Sequence, residues 1–591
     1  MNGGYLFFFL EALLRNGFIA RGMLGVATLL VGTTMAFGQA AKESVADLIV
    51  VHGKVYTMNA KHPWAQAVAV RSGKIVAVGD DAEIDKLRSP GTKVIDVGDR
   101  LVLPGFVDSH IHFFEGSIFL DRVHLEGAGN ITEIRKRLRD YAANHSGDGW
   151  IVGAGWDYAM FGEEKLPNKR DLDELFPERP VFLDGFDGHT AWVNSKALAL
   201  AGIRRGTPDP PNGTIVRDPQ TGEATGALRE DAAIDMVKRV RPKATRAERL
   251  AALRSGMKLA NENGLTRVHA AGGHFESGDF DEFDLYDELR RHGELTLRMY
   301  IAYFLDPPEL RPRDLEAIAA ANQKYTGDWL AGGVVKLRLD GVIESHTAAM
   351  LEPYSDDPSS KGALFWDPEK YKSAVLELDR RGLQLFTHAV GDFAVRTALD
   401  AYENAERVNR TSDRRHRVEH IETIASTDIL RFGKLRVIAS MQPLHAYPDA
   451  NTLGVWMRNA GADRGSRAWP WRSIAASGGR LAFGSDWNVV TLNPWEGLQN
   501  AVTRQTVQGQ PAEGFLPQER ISLEQAVEAY TLGAAFAGRR ERTEGSLEPG
   551  KLADLIIVSQ NVFQIDPHRI AETKVLTTIV GGRVVYQSEA K

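Results

Sequence analysis

Residues 105–116 read GFVDSHIHFFEG. An apolar run of β character ends in two histidines, His110 and His112, and in an extended strand residues two apart face the same way. One such pair arises readily by chance. It becomes informative only when other strands end in side chains of similar chemistry at the same level. Seven further β-type runs follow, separated by amphipathic helical stretches: GLTRVHA (264–270), LTLRMYIAY (295–303), GVVKLRLDG (333–341), LQLFTHAVGD (383–392), HRVEHIE (416–422), LRVIASMQP (435–443) and RLAFGSDWN (480–488). Eight β/α repeats predict an α/β protein with a closed (β/α)8, TIM-like barrel, whose chemistry sits at the C-terminal ends of the strands. The competing open sheet would more naturally carry a glycine-rich phosphate loop, and none is seen.

The ends of these strands collect ionisable residues. The first offers His110 and His112, the fourth Lys336, the fifth His388, the sixth His420 and the eighth Asp486. Singly, a histidine is more often a hydrogen-bonded structural residue, and Asp486 in GSDW reads as a helix N-cap. Jointly, the imidazoles and the carboxylate match the N/O ligand set of a hydrolytic divalent cation. Zn2+ is favoured, while Mn, Co or Fe fit the same donors, as one ion or two. The chain has no cysteine, which removes thiolate ligands, a cysteine nucleophile and disulfides.

Outside the barrel, β-rich runs at both ends of the 591-residue chain (45–104 and 541–591) predict one small sandwich built from both termini, its N-terminal part a small antiparallel sheet. Barrel residues then span 105–540, with an insertion of about 117–250 after the first strand that is too long for one crossover and is expected to roof the mouth. Residues 1–40 read as an export signal cleaved near Gly38 or Ala40, with Met23 an alternative start and an uncleaved membrane anchor the competing reading. That signal predicts a periplasmic or secreted protein without stable membrane insertion after cleavage. A net charge of -7 gives no call for a nucleic-acid partner, leaving a small-molecule substrate. Oligomeric state is not legible.

PGFVDSHIH, HAVGD, VEHIE, FGSDW and the terminal GSLEPGKLADLIIV resemble the amidohydrolase superfamily of metal-dependent barrel hydrolases. Within it, VVKLRLDGVIESHTAAMLEPYSDD, DGHTAWVNSKAL and TGALRE look like the YtcJ-like branch, amidohydrolase family 3, which includes N-substituted formamide deformylases. The resemblance implies that His110 and His112 hold the more buried metal, His388 and His420 the more exposed one, and that Asp486 ligates and shuttles protons. It implies a carboxylated Lys336 bridging two metals; the other reading is an unmodified lysine paired with a carboxylate such as Asp340. Relatives often carry an aspartate where this chain has Ala270, and His269 stands beside it as a core or supporting residue.

Metal-activated hydroxide attacking a carbonyl is the expected chemistry, with Asp486 as proton acceptor and donor. His189 in DGHTAW either polarises the carbonyl or is structural in the insertion. Trp156, Trp192, Trp366, Trp456 and Trp487, with Phe113 and Phe114, either line the mouth, favouring an apolar or aromatic amide, or fill the core. The expected function is cleavage of a non-peptide C–N bond, an amide or N-formyl amine. Cyclic amides, carbamates and esters are served by the same apparatus, and a non-catalytic regulatory protein retaining the fold is the reading from a different class.

Overall fold

The computed structural model describes residues 45–589 except 146, 148, 157–160, 162–165, 186–189, 211–212, 273–280 and 306. The expected export signal lies outside these residues. Among them, no helix is long and apolar enough to cross a membrane.

All eight anticipated runs are strands of one parallel sheet: β1 (Phe106–Ile111), β2 (Leu265–Ala270), β3 (Arg298–Leu305), β4 (Leu330–Arg338), β5 (Gln384–Ala389), β6 (Arg417–His420), β7 (Ile438–Met441) and β8 (Arg480–Phe483). They lie side by side in chain order. At the C-terminal end β8 returns to β1: the Asp486 N–H donates to the His110 carbonyl at 2.7 Å, and the His112 N–H to the Trp487 carbonyl at 2.8 Å. Gly484 permits this approach, because a Cβ there would lie 2.5 Å from the His110 nitrogen. The strands are sheathed by amphipathic helices with clear stops and starts. Thr245 and Glu248 form a capping box on Arg246–Glu262, and Asp367 caps Pro368–Arg380.

The N-terminal strands do not form one antiparallel sheet. They divide between a four-stranded sheet of N-terminal strands alone and a six-stranded sheet that also contains Leu555–Val558, Val575–Val580 and Arg583–Gln587. Leu48–Val51 pairs parallel with Lys93–Asp96, and Lys54–Tyr56 parallel with Leu101–Pro104, because the intervening hairpin and short helix return the chain in its original direction. Val50, Val55, Val68, Val102, Leu555 and Ile557 share one core. Buried ion pairs tie the barrel to this C-terminal segment: Arg298 donates to Asp554 at 2.7 and 3.0 Å, and Arg267 to Glu544 at 2.8 Å.

Between β1 and the crossover helix Arg246–Glu262, the insertion folds around its own six-stranded sheet, Val123–His124 to Ala224–Arg229, with apolar cores on its strands and helices.

Candidate metal centre

Three local backbone features aim the strand-end side chains. Between β1 and β2 the register slips, so that Asp108 pairs with Val268 but Ile111 with Ala270: three steps in β1 oppose two in β2. This bulge adds a residue next to His110 and overrides simple alternation, which alone would not fix where His110 points. In β6, Glu419 is in register with His388 and His420 with Ala389, so alternation sends Glu419 and His420 to opposite faces. Left-handed backbone at His420 (φ 72°) and Ile421 (φ 53°) turns the imidazole back to the mouth, where its ring centroid lies 4.4 Å from His388 and 4.9 Å from His110. Asp486 (φ 59°), just beyond β8, is left-handed too. Each such residue costs about 1–2 kcal/mol, a strain that concentrates at functional sites.

The side chains meet at the barrel mouth. Asp486 Oδ1 lies 3.4 Å from His110 Nε2 and 3.3 Å from His112 Nε2, and Oδ2 lies 3.9 Å from His420 Nδ1. Donor atoms of His110, His420 and Asp486 all fall within 4.8 Å of one another. Asp486 Oδ1 and His420 Nε2 are buried without a hydrogen-bond partner among the described residues. Buried polar atoms are paired in the great majority of cases, so convergent orphan acceptors fit a cation between them.

The electrostatics agree. Burial, then the neighbouring Lys336 charge, depresses the imidazolium pKa of His110 to about 4 and of His388 to about 3; burial and the adjacent His388 hold His420 far below its ordinary value. These rings are neutral at neutral pH and offer lone pairs. Burial pushes the Asp486 carboxyl up, but His110, His112 and His420 outweigh it and hold it well below the usual carboxylate range. Neutral His110, His388 and His420 with an ionised Asp486 match the protonation state that ligation requires; at His112 burial lowers the pKa but the adjacent Asp486 outweighs it and raises it.

The supporting layer was not anticipated from sequence. His110 Nδ1 meets Glu419 Oε2 at 2.5 Å, and Arg417 donates to both Glu419 oxygens at 2.8 and 3.0 Å. Glu419 thereby holds His110 with Nε2 facing the centre, the carboxylate–imidazole arrangement common behind metal ligands. Gln442 Oε1 holds His420 Nδ1 at 2.8 Å. A further imidazole, His445, stands on the turn after β7 with its ring stacked on His420 at 5.6 Å and 6°. Its Nε2 is 3.5 Å from Asp486 Oδ2, and its Nδ1 3.5 Å from Glu422, which accepts from the Trp456 indole at 2.7 Å. Glu419 was legible in VEHIE; His445 lies past Pro443, outside any strand end.

Lys336 is buried with Nζ 2.9 Å from His110 Nε2, and burial draws its ammonium down to about 8. Its pairing with Asp340 does not occur. The Asp340 oxygens are taken by the N–H groups of Ala349, Val390 and Gly391 at 2.8–3.0 Å, closing the loops after β4 and β5. His388 meets His420 edge-to-face, with the ring planes at 65°, but its Nε2 faces the Gly341 carbonyl at 3.2 Å and the Asp340 carboxylate at 3.6 Å, so that nitrogen is not among the converging donors. His269 lies deeper in the barrel, where its Nδ1 accepts from Arg417 at 3.0 Å. His189 lies outside the described residues.

Above the centre a cavity of about 1370 Å3 opens between barrel mouth and insertion. His112, Lys336, His388, His420, His445 and Asp486 form part of its floor. None of the five singled-out tryptophans lines it: Trp156 and Trp192 fill the insertion core, and Trp366, Trp456 and Trp487 the barrel core. Large rings are buried for their area, whatever the ligand. Phe113 is core as well, whereas Phe114 lines the cavity with Phe119, Phe304 and Val489.

Known proteins carry the same arrangement of sequence. The chain is 35% identical to Protein LONG AFTER FAR-RED 3 of Arabidopsis thaliana over 545 residues, covering 92% of each. It is 30% identical to the protein YtcJ of Bacillus subtilis (90% of this chain, 98% of that one) and 28% identical to the N-substituted formamide deformylase of Arthrobacter pascens (92% and 98%). The solved structure of a metal-dependent hydrolase from Pyrococcus furiosus superposes with a TM-score of 0.69 at 26% identity, covering 88% of this chain and 99% of that one. With the amidohydrolase family pattern matching residues 93–586, over the barrel, its strand-end histidines and the C-terminal sheet, the chain belongs to the amidohydrolase family.

Proposed function

We propose that the protein is a metal-dependent hydrolase that cleaves a non-peptide C–N bond, an amide or an N-formyl amine. The observation that carries this reading is the convergence of His110, His420 and Asp486 donor atoms within 4.8 Å, with orphan acceptors facing inward. The deformylase relative supports the choice of bond.

His110, His112, His420 and Asp486 would hold the ion, with Lys336 and His388 beside them. A divalent cation supplies Lewis acidity, polarising a carbonyl and making water acidic enough to react at neutral pH. The chain's own groups do the rest. Asp486, ionised and beside the neutral His110 and His420, accepts a proton from water at Oδ1 or Oδ2 and returns it to the departing nitrogen, so the carboxylate is regenerated each cycle. Glu419 and Arg417 fix the tautomer of His110, and Glu422 orients His445 on the far side of Asp486. Lys336, a buried amine with no carboxylate partner among the described residues, is suited to reaction with CO2, which would replace its charge by a carboxylate-like ligand. An export signal in residues 1–40 would deliver this activity to the periplasm or medium.

The test is a panel of formanilides, acetanilides, cyclic amides, carbamates and aryl esters with the Zn2+- or Mn2+-loaded protein, following amine release. Turnover highest on the formyl or acyl anilides supports the reading; turnover confined to esters or cyclic amides replaces it.

A further inference from the structure

The cavity has a second chemical character that the metal chemistry does not use. Its floor is acidic and imidazole-rich, with Glu344, Glu422, Asp449 and Asp486 contributed by the barrel loops. The wall supplied by the insertion is cationic: Arg122, Arg229, Lys238, Arg241, Lys243 and Arg249 all line it. Most come from one stretch, KRVRPKATRAER (238–249), in which six of twelve residues are cationic and Glu248 is the only acid. Glu248 is itself committed to the capping box of the next helix. Such clustering runs against a chain whose net charge is -7.

Asp184, which lines the same wall, stands 3.9 Å from Lys238, and the Arg241 guanidinium lies over the Phe182 ring at 4.7 Å, which orients its plane. At about 1370 Å3 the cavity exceeds the roughly 300–1,000 Å3 of ordinary ligand sites, so a ligand engaged at the floor has room to reach the wall. Apolar side chains such as Phe119 line the space as well. A cleft wall of one sign concentrates and orients ligands of the other.

We propose that this wall is an anion subsite: the substrate carries a carboxylate or phosphate at the end opposite its scissile bond, and residues 238–249 recognise it. The inference rests on the hydrolytic reading above and names the substrate class for it.

Three matched substrates test it on the metal-loaded full-length protein: formanilide, its 4-carboxylate and 4-formamidophenyl phosphate. One or both anions should have kcat/KM about 10-fold or more above formanilide, through KM, at low salt. The preferred one identifies the natural anion. The advantage should shrink as NaCl is raised well beyond physiological strength, and vanish in Lys238→Gln/Arg241→Gln/Lys243→Gln while formanilide turnover stays within about twofold. Equal kcat/KM for all three, or an advantage that survives the triple substitution, overturns the proposal. If the triple variant does not fold, Lys243→Gln, at an exposed position, should lower the advantage partially, and no change counts against it. If the wild type cleaves none of the three, the hydrolytic reading fails, and calorimetric titration with 4-aminobenzoate, 4-aminophenyl phosphate and aniline decides the subsite separately. Anion-selective binding lost in the variant keeps it; equal binding removes it.

Discussion

Two buried carboxylates at opposite ends of the barrel, Asp554 and Asp486, are treated in opposite ways. At the N-terminal end, Arg298 and Asp554 meet in two hydrogen bonds of 2.7 and 3.0 Å, with the Gly581 N–H adding a third to the carboxylate. At the C-terminal end, Asp486 faces imidazole nitrogens at 3.3–3.9 Å, with Oδ1 unpartnered among the described residues. Both carboxylates are buried. One satisfies its neighbours and fastens the sandwich to the barrel; the other leaves donors and acceptors open towards a cavity. The difference separates a site built for stability from a site built for a ligand, as expected for the two faces of this fold.

Breaking each end should give opposite phenotypes. Asp486→Asn removes the proton acceptor without emptying volume: kcat should fall about 10^2- to 10^4-fold while Tm stays near wild type, read by amine release and calorimetry. Asp554→Ala should do the reverse. Leaving Arg298 buried and unpaired costs about 3–5 kcal/mol in a denaturant titration, with kcat per folded molecule retained. Similar kcat losses in both variants would erase the distinction.

Smaller effects sharpen it. Glu419→Gln keeps the shape behind His110 but weakens its hold, so metal affinity should drop about 10- to 100-fold in a competition titration with a chelating dye. An unchanged affinity would show that the Arg417–Glu419 pair serves packing alone. The pH dependence of the metal-free protein has a defined sign. His110 and His388 titrate near 4 and 3 when folded, against about 6.5 unfolded, so below 6.5 the unfolded chain binds more protons. Their contribution is complete above pH 6.5 and is lost as pH falls through 6.5 towards 4 and 3, at up to about 1.4 kcal/mol per pH unit for each ring. Between pH 6.5 and 4 the Tm of chelator-treated His388→Asn should therefore lose less, relative to its own value at pH 7, than that of wild type; identical pH dependence would contradict it.

Much of this architecture was legible before any coordinates. Eight apolar runs between amphipathic stretches became eight parallel strands, because strand and helix periods differ and each helix must bury one face against the sheet. His110, His420 and Asp486 were visible as strand-end ligand types. The means of aiming them were not: the bulge beside His110 and the left-handed turns at His420 and Asp486 are set by inter-strand register and tertiary contact, which one sequence does not display. His445 escaped notice because it sits on a turn, and of the two readings of Lys336 the pairing with Asp340 fails because Asp340 is consumed by backbone N–H groups of distant loops. Of the two readings of the tryptophans, core filling is the one the structure shows. The insertion sheet is built from strands of two to six residues, too short for periodicity to register.

Metal analysis coupled to turnover tests the central claim most directly. The purified protein should contain one or two divalent ions per chain, lose both metal and formanilide hydrolysis on exhaustive dialysis against a chelator, and recover activity in step with added Zn2+ or Mn2+. Undiminished turnover by protein shown to be free of metal would contradict the account.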